Sequence, residues 1–121
     1  MTEKVLLYIK ETYGADPEFL WDDLDAAALR HPSGKWFAVW MRIPRSKLGL
    51  SGNEAVEVLN LKRDPMLGLA DGERIFPAYH MNKEHWITVL LDGSIPKEEL
   101  WGLIAMSYEQ IEGKASRKKR R

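Results

Sequence analysis

Apolar residues recur at helical spacing near both ends of the chain. In the first segment they share one side of a 3.6-residue period: Val5, Leu6, Ile9 and Tyr13. This spacing predicts a helix over residues 2–13 that stops at Gly14. The second segment opens at Pro96 and carries a comparable apolar stripe: Leu100, Leu103, Ile104 and Ile111, with Tyr108 beside it. We expect this second helix to end near Gly113.

Between the two helices, runs of β-branched and aromatic residues separated by turn residues predict strands. Residues 26–31 and 35–43 form the arms of a predicted hairpin around Pro32-Ser33-Gly34. The second arm is apolar at consecutive positions, so it should be covered on both faces. Strict alternation along this arm gives two sets of apolar residues on opposite faces: Trp36 and Trp40 on one, and Phe37, Val39 and Met41 on the other.

Two further strands are predicted at residues 55–62 and 85–92. Residues 64–73 predict a short helix of about two turns, because an Asp-Pro pair opens the segment with a capping side chain and a residue suited to the first helical position. Residues 75–84 are predicted to be irregular. The chain therefore alternates between helices and strands without an internal repeat.

This order of elements predicts an α+β fold: a single antiparallel sheet with the N- and C-terminal helices packed on it. The residues expected in the core include Trp86, Leu90, Leu100 and Ile104. No linker interrupts residues 1–113, which we expect to form one domain. The basic segment 114–121 is predicted to be a disordered tail.

Charge is distributed unevenly, although the 121-residue chain has a formal net charge of zero. Residues 114–121 carry six basic groups and no acid, so the remainder has 12 basic and 18 acidic residues. Within that remainder, residues 30–85 have nine basic against six acidic residues, and both flanking stretches are acidic. This pattern favours one local positive patch and disfavours nonspecific DNA binding over a broad surface.

The composition also bears on the compartment. The chain has no cysteine, which excludes disulfides, thiolate zinc sites and cysteine nucleophiles. No apolar run approaches the roughly 20 residues that span a bilayer, and the charged N-terminus does not resemble a signal peptide. We therefore expect a cytoplasmic protein that does not associate with membranes, and we expect a monomer.

The densest group of chemically active side chains lies in the segment FPAYHMNKEHWITVLLDG, residues 76–93. Its histidines, His80 and His85, are five residues apart, whereas a zinc site needs three or four ligands. No nucleophile elbow or glycine-rich phosphate loop is present, so we expect neither catalysis nor an intrinsic metal or cofactor. An acidic stretch from Glu11 to Asp25 leaves iron binding as a minor alternative, because hard cations prefer carboxylates.

Nucleic acid is the ligand that these residues favour. The cationic and imidazole side chains of the body that can donate to phosphate are Lys62, Arg63, His80, Lys83 and His85. The tail supplies a second set for nonspecific attraction: Arg117, Lys118, Lys119, Arg120 and Arg121. Trp86 begins an apolar strand, which is more typical of a core residue than of a base-stacking platform. The alternative is an adaptor that binds protein or a small ligand, in which residues 80–86 are structural.

Several motifs, in this order, resemble the MmcQ/YjbR family of small bacterial proteins. The motifs are Leu61-Lys62-Arg63-Asp64-Pro65, then Pro77, His80, Asn82, Lys83 and Trp86, then Asp92-Gly93, and finally Ser107-Tyr108. The hairpin from Gly34 to Leu50 also looks like the central strands of the family, and the resemblance spans roughly residues 3–112. Arg63 departs from the pattern, because the family often has cysteine there.

The resemblance implies a CyaY-like fold, related in shape to frataxin. It also implies DNA binding. With the basic middle of the chain, this gives the expected function: DNA binding through a local basic patch, without catalysis.

Overall fold

The computed structural model describes residues 1–64 and 70–119, with side chains described as far as Gly113. Two α-helices lie at the ends of this region, α1 (Thr2–Tyr13) and α2 (Lys97–Lys119). Five strands lie between them: β1 (Ala26–Arg30), β2 (Trp36–Pro44), β3 (Ala55–Lys62), β4 (Ile75–Pro77) and β5 (Trp86–Leu90). A short 3₁₀ turn, Arg45–Leu48, follows β2. The predicted α+β class is confirmed.

The strands form one antiparallel sheet in the order β1-β2-β3-β5-β4. Both helices pack on one face of it. Val5 and Ile9 of α1 and Leu100 and Ile104 of α2 share a buried cluster with residues of the central strands. Deeply buried sheet residues of this cluster include Leu29, Phe37, Leu59, Leu61 and Ile87. We call this the helix-covered face.

The opposite face has its own apolar cluster, to which neither helix contributes a described residue. Its sheet residues are Val39, Met41, Ile43, Val58, Phe76, Trp86 and Leu90, with Ala26 at the edge. Partly buried side chains from the connecting segments pack over it: Trp21, Leu48, Leu50, Tyr79 and Met81. We call this the loop-covered face. Because connections, not helices, cover this side, its surface is shaped by loops.

The predicted core residues are all buried, but they do not form one cluster. Leu100 and Ile104 lie on the helix-covered face, whereas Trp86 and Leu90 lie on the loop-covered face. Successive strand residues alternate between faces, so the apolar run of β5 supplies both clusters.

The alternation predicted for the hairpin was wrong at two residues. Phe37 lies on the helix-covered face beside Ala38, and Trp36 lies on the loop-covered face. The cause is an irregularity in the β1–β2 ladder, where Leu29 pairs with Ala38 and Arg30 pairs with Trp36. Phe37 is therefore the extra residue of a β-bulge. The bulge shifts the alternation by one residue, so the side chains before it point to the face opposite to the predicted one.

Two boundaries also differ from the sequence prediction. Residues 75–77 form the short edge strand β4 instead of irregular chain, because Ile75 and Phe76 pair with β5 and bury their side chains. Helix α2 continues through Gly113 to Lys119, since a helical glycine is unfavourable by only about 1 kcal/mol and no breaker follows it. The prediction that this helix ends near Gly113 was therefore wrong. The predicted disorder of residues 114–121 stays a prediction. Half of the predicted short helix at 64–73, residues 65–69, lies outside the described residues.

Ser107 joins α2 to two strands. Its buried hydroxyl donates to the carbonyl of Phe37, at the bulge, and accepts a hydrogen bond from the backbone N–H of Lys62 at 2.8 Å. Ser107→Ala leaves both backbone groups without this partner, so we expect the free energy of unfolding to fall by about 1–3 kcal/mol. Urea unfolding followed by circular dichroism measures this. The exposed Ser51→Ala is the control, and equal midpoints for the two variants would contradict the prediction.

Asp71 shapes the turn before β4. Its Oδ1 accepts hydrogen bonds from the backbone N–H groups of Arg74, Ile75 and Glu73, which hold the pKa of the Asp71 carboxyl well below its usual range. A carboxyl with a lowered folded pKa stabilises the protein above the unfolded value, near pH 4, and this contribution is lost as the pH falls further.

We therefore expect Asp71→Asn to be less stable than the parent protein at pH 6, and the difference to shrink towards pH 2.5. Urea unfolding at both pH values measures it. The exposed Asp22→Asn is the control. A difference that stays constant with pH would contradict the assignment.

Candidate functional site

Lys62 and Trp86 meet at one end of the sheet. They are paired residues of β3 and β5, and the Lys62 ammonium lies 5.6 Å from the centroid of the Trp86 ring. This distance is within the range of a cation–π interaction. Only 8% of Trp86 is exposed, so the ring belongs mainly to the core and Lys62 covers its outer side.

A shallow groove of about 390 Å³ opens beside this pair, and we call it the tryptophan groove. It is lined by Arg30, Gly34, Lys35, Trp36, Lys62 and Trp86. Three of the six lining residues are cations and none is an acid. The ring of Trp36 is half-buried and packs edge-on against Trp21, with centroids 5.4 Å apart. The groove thus places the Trp36 ring, which packs against Trp21, among three positively charged side chains.

The cations of the groove differ in how they are held. The Arg30 guanidinium donates to the Glu18 carboxylate at 2.9 Å and to the carbonyl of Gly34 at 3.0 Å. Lys35 is exposed at the tip of the hairpin, and no carboxylate of the described chain lies within 4 Å of its ammonium. Lys35 is therefore available to a phosphate.

Arg63 and His85 adjoin the groove. The backbone N–H of Arg63 donates to the carbonyl of His85 at 2.9 Å, and its guanidinium Nε donates to the carbonyl of Glu84 at 3.1 Å. His85 is half-exposed, and its Nε2 lies 3.9 Å from a carboxylate oxygen of Glu84. The structure thus brings together Lys62, Arg63 and His85 of the predicted site.

The loop from Ala78 to His85 is fixed from below by buried polar side chains. Its Tyr79 backbone N–H donates to the Thr88 hydroxyl at 2.9 Å. That hydroxyl donates to the Asn60 amide oxygen, and the Asn60 amide nitrogen donates to the Val39 carbonyl at 3.2 Å. Asn60 and Thr88 are fully buried on the loop-covered face. Sequence reasoning missed this network, because an asparagine and a threonine inside strands carry no signal of their partners.

Asn82 and His80 set the course of the same loop. The Asn82 side chain accepts from the N–H of Glu84 at 2.8 Å, and its carbonyl accepts from the N–H of Trp86 at 2.9 Å. His80 has a φ of 60°. This left-handed conformation costs a residue with a Cβ about 1–2 kcal/mol. Its ring packs on Tyr79, with centroids 4.1 Å apart. The Asn-Lys-x-x-Trp motif is therefore first of all a turn that leads into β5.

Lys83 lies in a different depression, which we call the lysine cleft. It has a volume of about 240 Å³ and is lined by Lys47, Leu48, Phe76, Pro77, Ala78, Tyr79 and Lys83. None of these residues lines the tryptophan groove. The predicted site is thus divided, with Lys62 in one depression and Lys83 in the other. Sequence reasoning also missed Lys35, Trp36 and Lys47, because each depression also includes residues that are distant from them in the chain.

The remaining predicted site residues belong to the C-terminal segment. The side chains of Arg117, Lys118 and Lys119 lie outside the described part of the structure, as do Arg120 and Arg121 entirely. Their role in binding stays a prediction.

The third histidine, His31, is structural. It is buried, its Nδ1 accepts from the backbone N–H of Ser33 at 3.0 Å, and its Nε2 lies 3.0 Å from a carboxylate oxygen of Glu112. Its ring also contacts Tyr108 of α2. Burial raises the pKa of the Tyr108 phenol, and the Glu112 carboxylate adds to this. His31 thus joins the hairpin turn to the C-terminal helix.

Three acids of the stretch considered for iron, Asp16, Glu18 and Asp25, form ion pairs. Asp16 pairs with Lys10 at 2.8 Å, and Asp25 pairs with Arg42 at 3.1 Å. Within residues 1–64 and 70–119, no three histidine or carboxylate side chains are grouped so that they could hold a metal ion. Over the same residues, neither helix combines the length and apolar character needed to cross a membrane.

Comparison with known proteins gives consistent matches. The sequence model of the YjbR family matches residues 10–110. YyaQ of Bacillus subtilis is 40% identical over 110 residues, covering 88% of this chain and 93% of YyaQ. A crystal structure of a Pseudomonas syringae protein is 39% identical, with a TM-score of 0.87 and coverage of 91% of this chain and 97% of that one. A Deinococcus radiodurans protein of the domain family DUF419 is 28% identical, with a TM-score of 0.66 and coverage of 89% and 75% respectively.

Proposed function

We propose that this chain, which belongs to the YjbR family, binds single-stranded nucleic acid in the tryptophan groove without catalysis. The resemblance of its motifs to that family implies DNA binding. One observation carries the proposal: the half-buried Trp36 ring lies in a groove with three cations and no acid. Proteins that bind single strands combine such a positive groove with an aromatic side chain on which a base stacks.

The shape of the surface favours a single strand over a duplex. Both described helices pack on the helix-covered face, so neither projects from the groove to enter a major groove. The acidic stretches on either side of the basic middle would repel a long duplex. A flexible strand needs contact only along the groove, with phosphates near Lys35 and Lys62 and a base on Trp36.

The other predicted residues act outside the tryptophan groove in this proposal. Arg63 and His85 adjoin the groove and are joined by a backbone hydrogen bond just beyond β3 and β5, so they extend it with a guanidinium and an imidazole that can donate to phosphate. His80 and Lys83 belong to the loop beyond it. The C-terminal cations add attraction that does not depend on base identity.

Fluorescence anisotropy with a labelled 12-nucleotide oligothymidylate tests the proposal. Trp36→Ala removes the stacking platform, and we expect affinity to fall by about 5-fold or more, since one stacked base contributes about 1–3 kcal/mol. Lys35→Glu should weaken binding and reduce its dependence on salt concentration. Oligouridylate and a duplex of the same length compare RNA and double-stranded DNA.

Lys4→Glu is the matched control, because it makes the same change in net charge at an exposed position of α1. It should leave binding nearly unchanged. Equal losses for Lys4→Glu and Lys35→Glu, or no loss for Trp36→Ala, would contradict the groove. The adaptor that binds protein or a small ligand would then become the better hypothesis.

A further inference from the structure

The lysine cleft has features of a site separate from the tryptophan groove. We propose that it binds a small organic anion with a planar apolar body, such as an aryl carboxylate or aryl sulfonate. The proposal does not depend on nucleic-acid binding, because the two depressions have no lining residue in common.

The floor of the cleft is apolar and closed. Phe76 and Ala78 are only 3% and 1% exposed, so the floor is part of the packed core. Leu48 and Pro77 continue this floor at the sides, and the half-buried ring of Tyr79 provides a wall. A flat apolar group placed there would bury its own surface and the remaining exposed surface of the cleft.

Two lysines from different parts of the chain line this cleft beside its apolar residues. Lys47 comes from the 3₁₀ turn after β2, and Lys83 comes from the loop before β5. Across the described residues, no carboxylate lies within 4 Å of either ammonium group. Lys10, by contrast, has its ammonium 2.8 Å from Asp16. Two lysines without an acidic partner beside an apolar floor favour an anionic ligand.

The segments that carry the lysines are held in place. The turn with Lys47 ends at Gly49, whose φ of 79° is readily adopted by glycine, and whose N–H donates to the Ser46 carbonyl at 3.0 Å. The loop with Lys83 is anchored at Tyr79 by Thr88 and passes through the left-handed His80. Backbone conformations of this kind in residues other than glycine are concentrated at ligand sites.

The volume of the lysine cleft suits a small molecule and not a polymer. A cleft of about 240 Å³ accepts a body of one or two rings. Inorganic phosphate would pair with the lysines but leave the apolar floor uncovered. A neutral aromatic molecule would cover the floor but would not pair with the lysines. The cleft therefore predicts that charge and ring are needed together.

The probe for the test is 8-anilinonaphthalene-1-sulfonate, an aromatic anion whose fluorescence rises in an apolar site. We expect one saturable site on the full-length folded protein. The double variant Lys47→Gln with Lys83→Gln should weaken binding at least 10-fold. Naphthalene-1-sulfonate should displace the probe at concentrations at which inorganic phosphate and the neutral 1-naphthalenemethanol do not.

The double variant Lys4→Gln with Lys35→Gln is the matched control, since it removes two exposed lysines that do not line the cleft and should leave probe binding unchanged. Amide shifts in ¹⁵N–¹H spectra should change around residues 47–49 and 76–83. Both changed lysines are exposed, so a melting temperature within 2 °C of the parent protein would verify that the fold is intact.

The proposal would be overturned if the double variant bound the probe as well as the parent protein, if the neutral alcohol displaced it equally, or if the shifts fell elsewhere. Loss of probe binding with oligothymidylate binding intact would separate this site from the tryptophan groove. The reverse result, probe binding intact and no oligonucleotide binding, would support the lysine cleft and refute only the proposed function.

Discussion

Leu100→Ala should lower the free energy of unfolding by about 2–5 kcal/mol. Leu100 is 2% exposed and lies in the first turn of α2, where its N–H donates to the Pro96 carbonyl at 3.0 Å. The side chain packs in the cluster beneath the helices, together with Ile104 and Ile95. Truncation removes apolar contacts and leaves a cavity that a close-packed sheet and helix fill only in part.

Equilibrium unfolding in urea, followed by far-ultraviolet circular dichroism, measures the loss. The matched control is Leu7→Ala on α1, because Leu7 is 58% exposed and the same truncation there should change stability by less than about 0.5 kcal/mol. A similar result for the two leucines would mean that α2 does not bury the face described for it.

Neutralising the six basic residues at 114 and 117–121 with glutamine should weaken nucleic-acid binding sharply and flatten its salt dependence. Each phosphate contact contributes about 0.7 to the slope of log affinity against log salt on a single strand, and about 0.9 on a duplex. Loss of all six contacts would therefore lower a single-strand slope by about 4 at most. Glutamine keeps the chain length and the helical propensity of the segment.

Anisotropy titrations at several salt concentrations measure both the affinity and the slope. We expect weaker binding to oligothymidylate to persist in this variant, and Lys35→Glu to abolish the remainder if the tryptophan groove is a second contact. An unchanged slope would exclude the C-terminal segment from the interface. Complete loss of binding at low salt would instead show that the folded domain has no nucleic-acid site of its own.

The helices could be predicted from the sequence because each buries one stripe of side chains, and the spacing of that stripe is visible locally. The stripe around Ile9 and the stripe around Ile104 both fall at 3.6-residue intervals, and their members are buried or partly buried against the same cluster. Family membership and the α+β class could be predicted for a related reason, since the motifs from Lys62 to Tyr108 occur in the expected order. The implied likeness to CyaY stays a prediction.

The bulge and the two depressions could not be predicted in this way. Alternation along β2 assumes a regular ladder, whereas the extra residue at Phe37 is revealed only by the partner strand. Trp36 joins Lys62 because β3 lies beside β2, and Lys47 joins Lys83 because the turn after β2 reaches the loop before β5. Such juxtapositions depend on strand order and loop course, which local sequence does not contain.

Both described helices pack on the same face of the sheet, and this arrangement affects how the sequences of proteins with this fold can diverge. Helices α1 and α2 pack on one face of the sheet, whereas the turn with Lys47 and the loop with Lys83 lie on the opposite face. Substitutions in these connections alter the chemistry of a surface while leaving most of the folding energy intact. A lineage can therefore acquire new ligands by changing a few loop residues, with little risk of losing the scaffold.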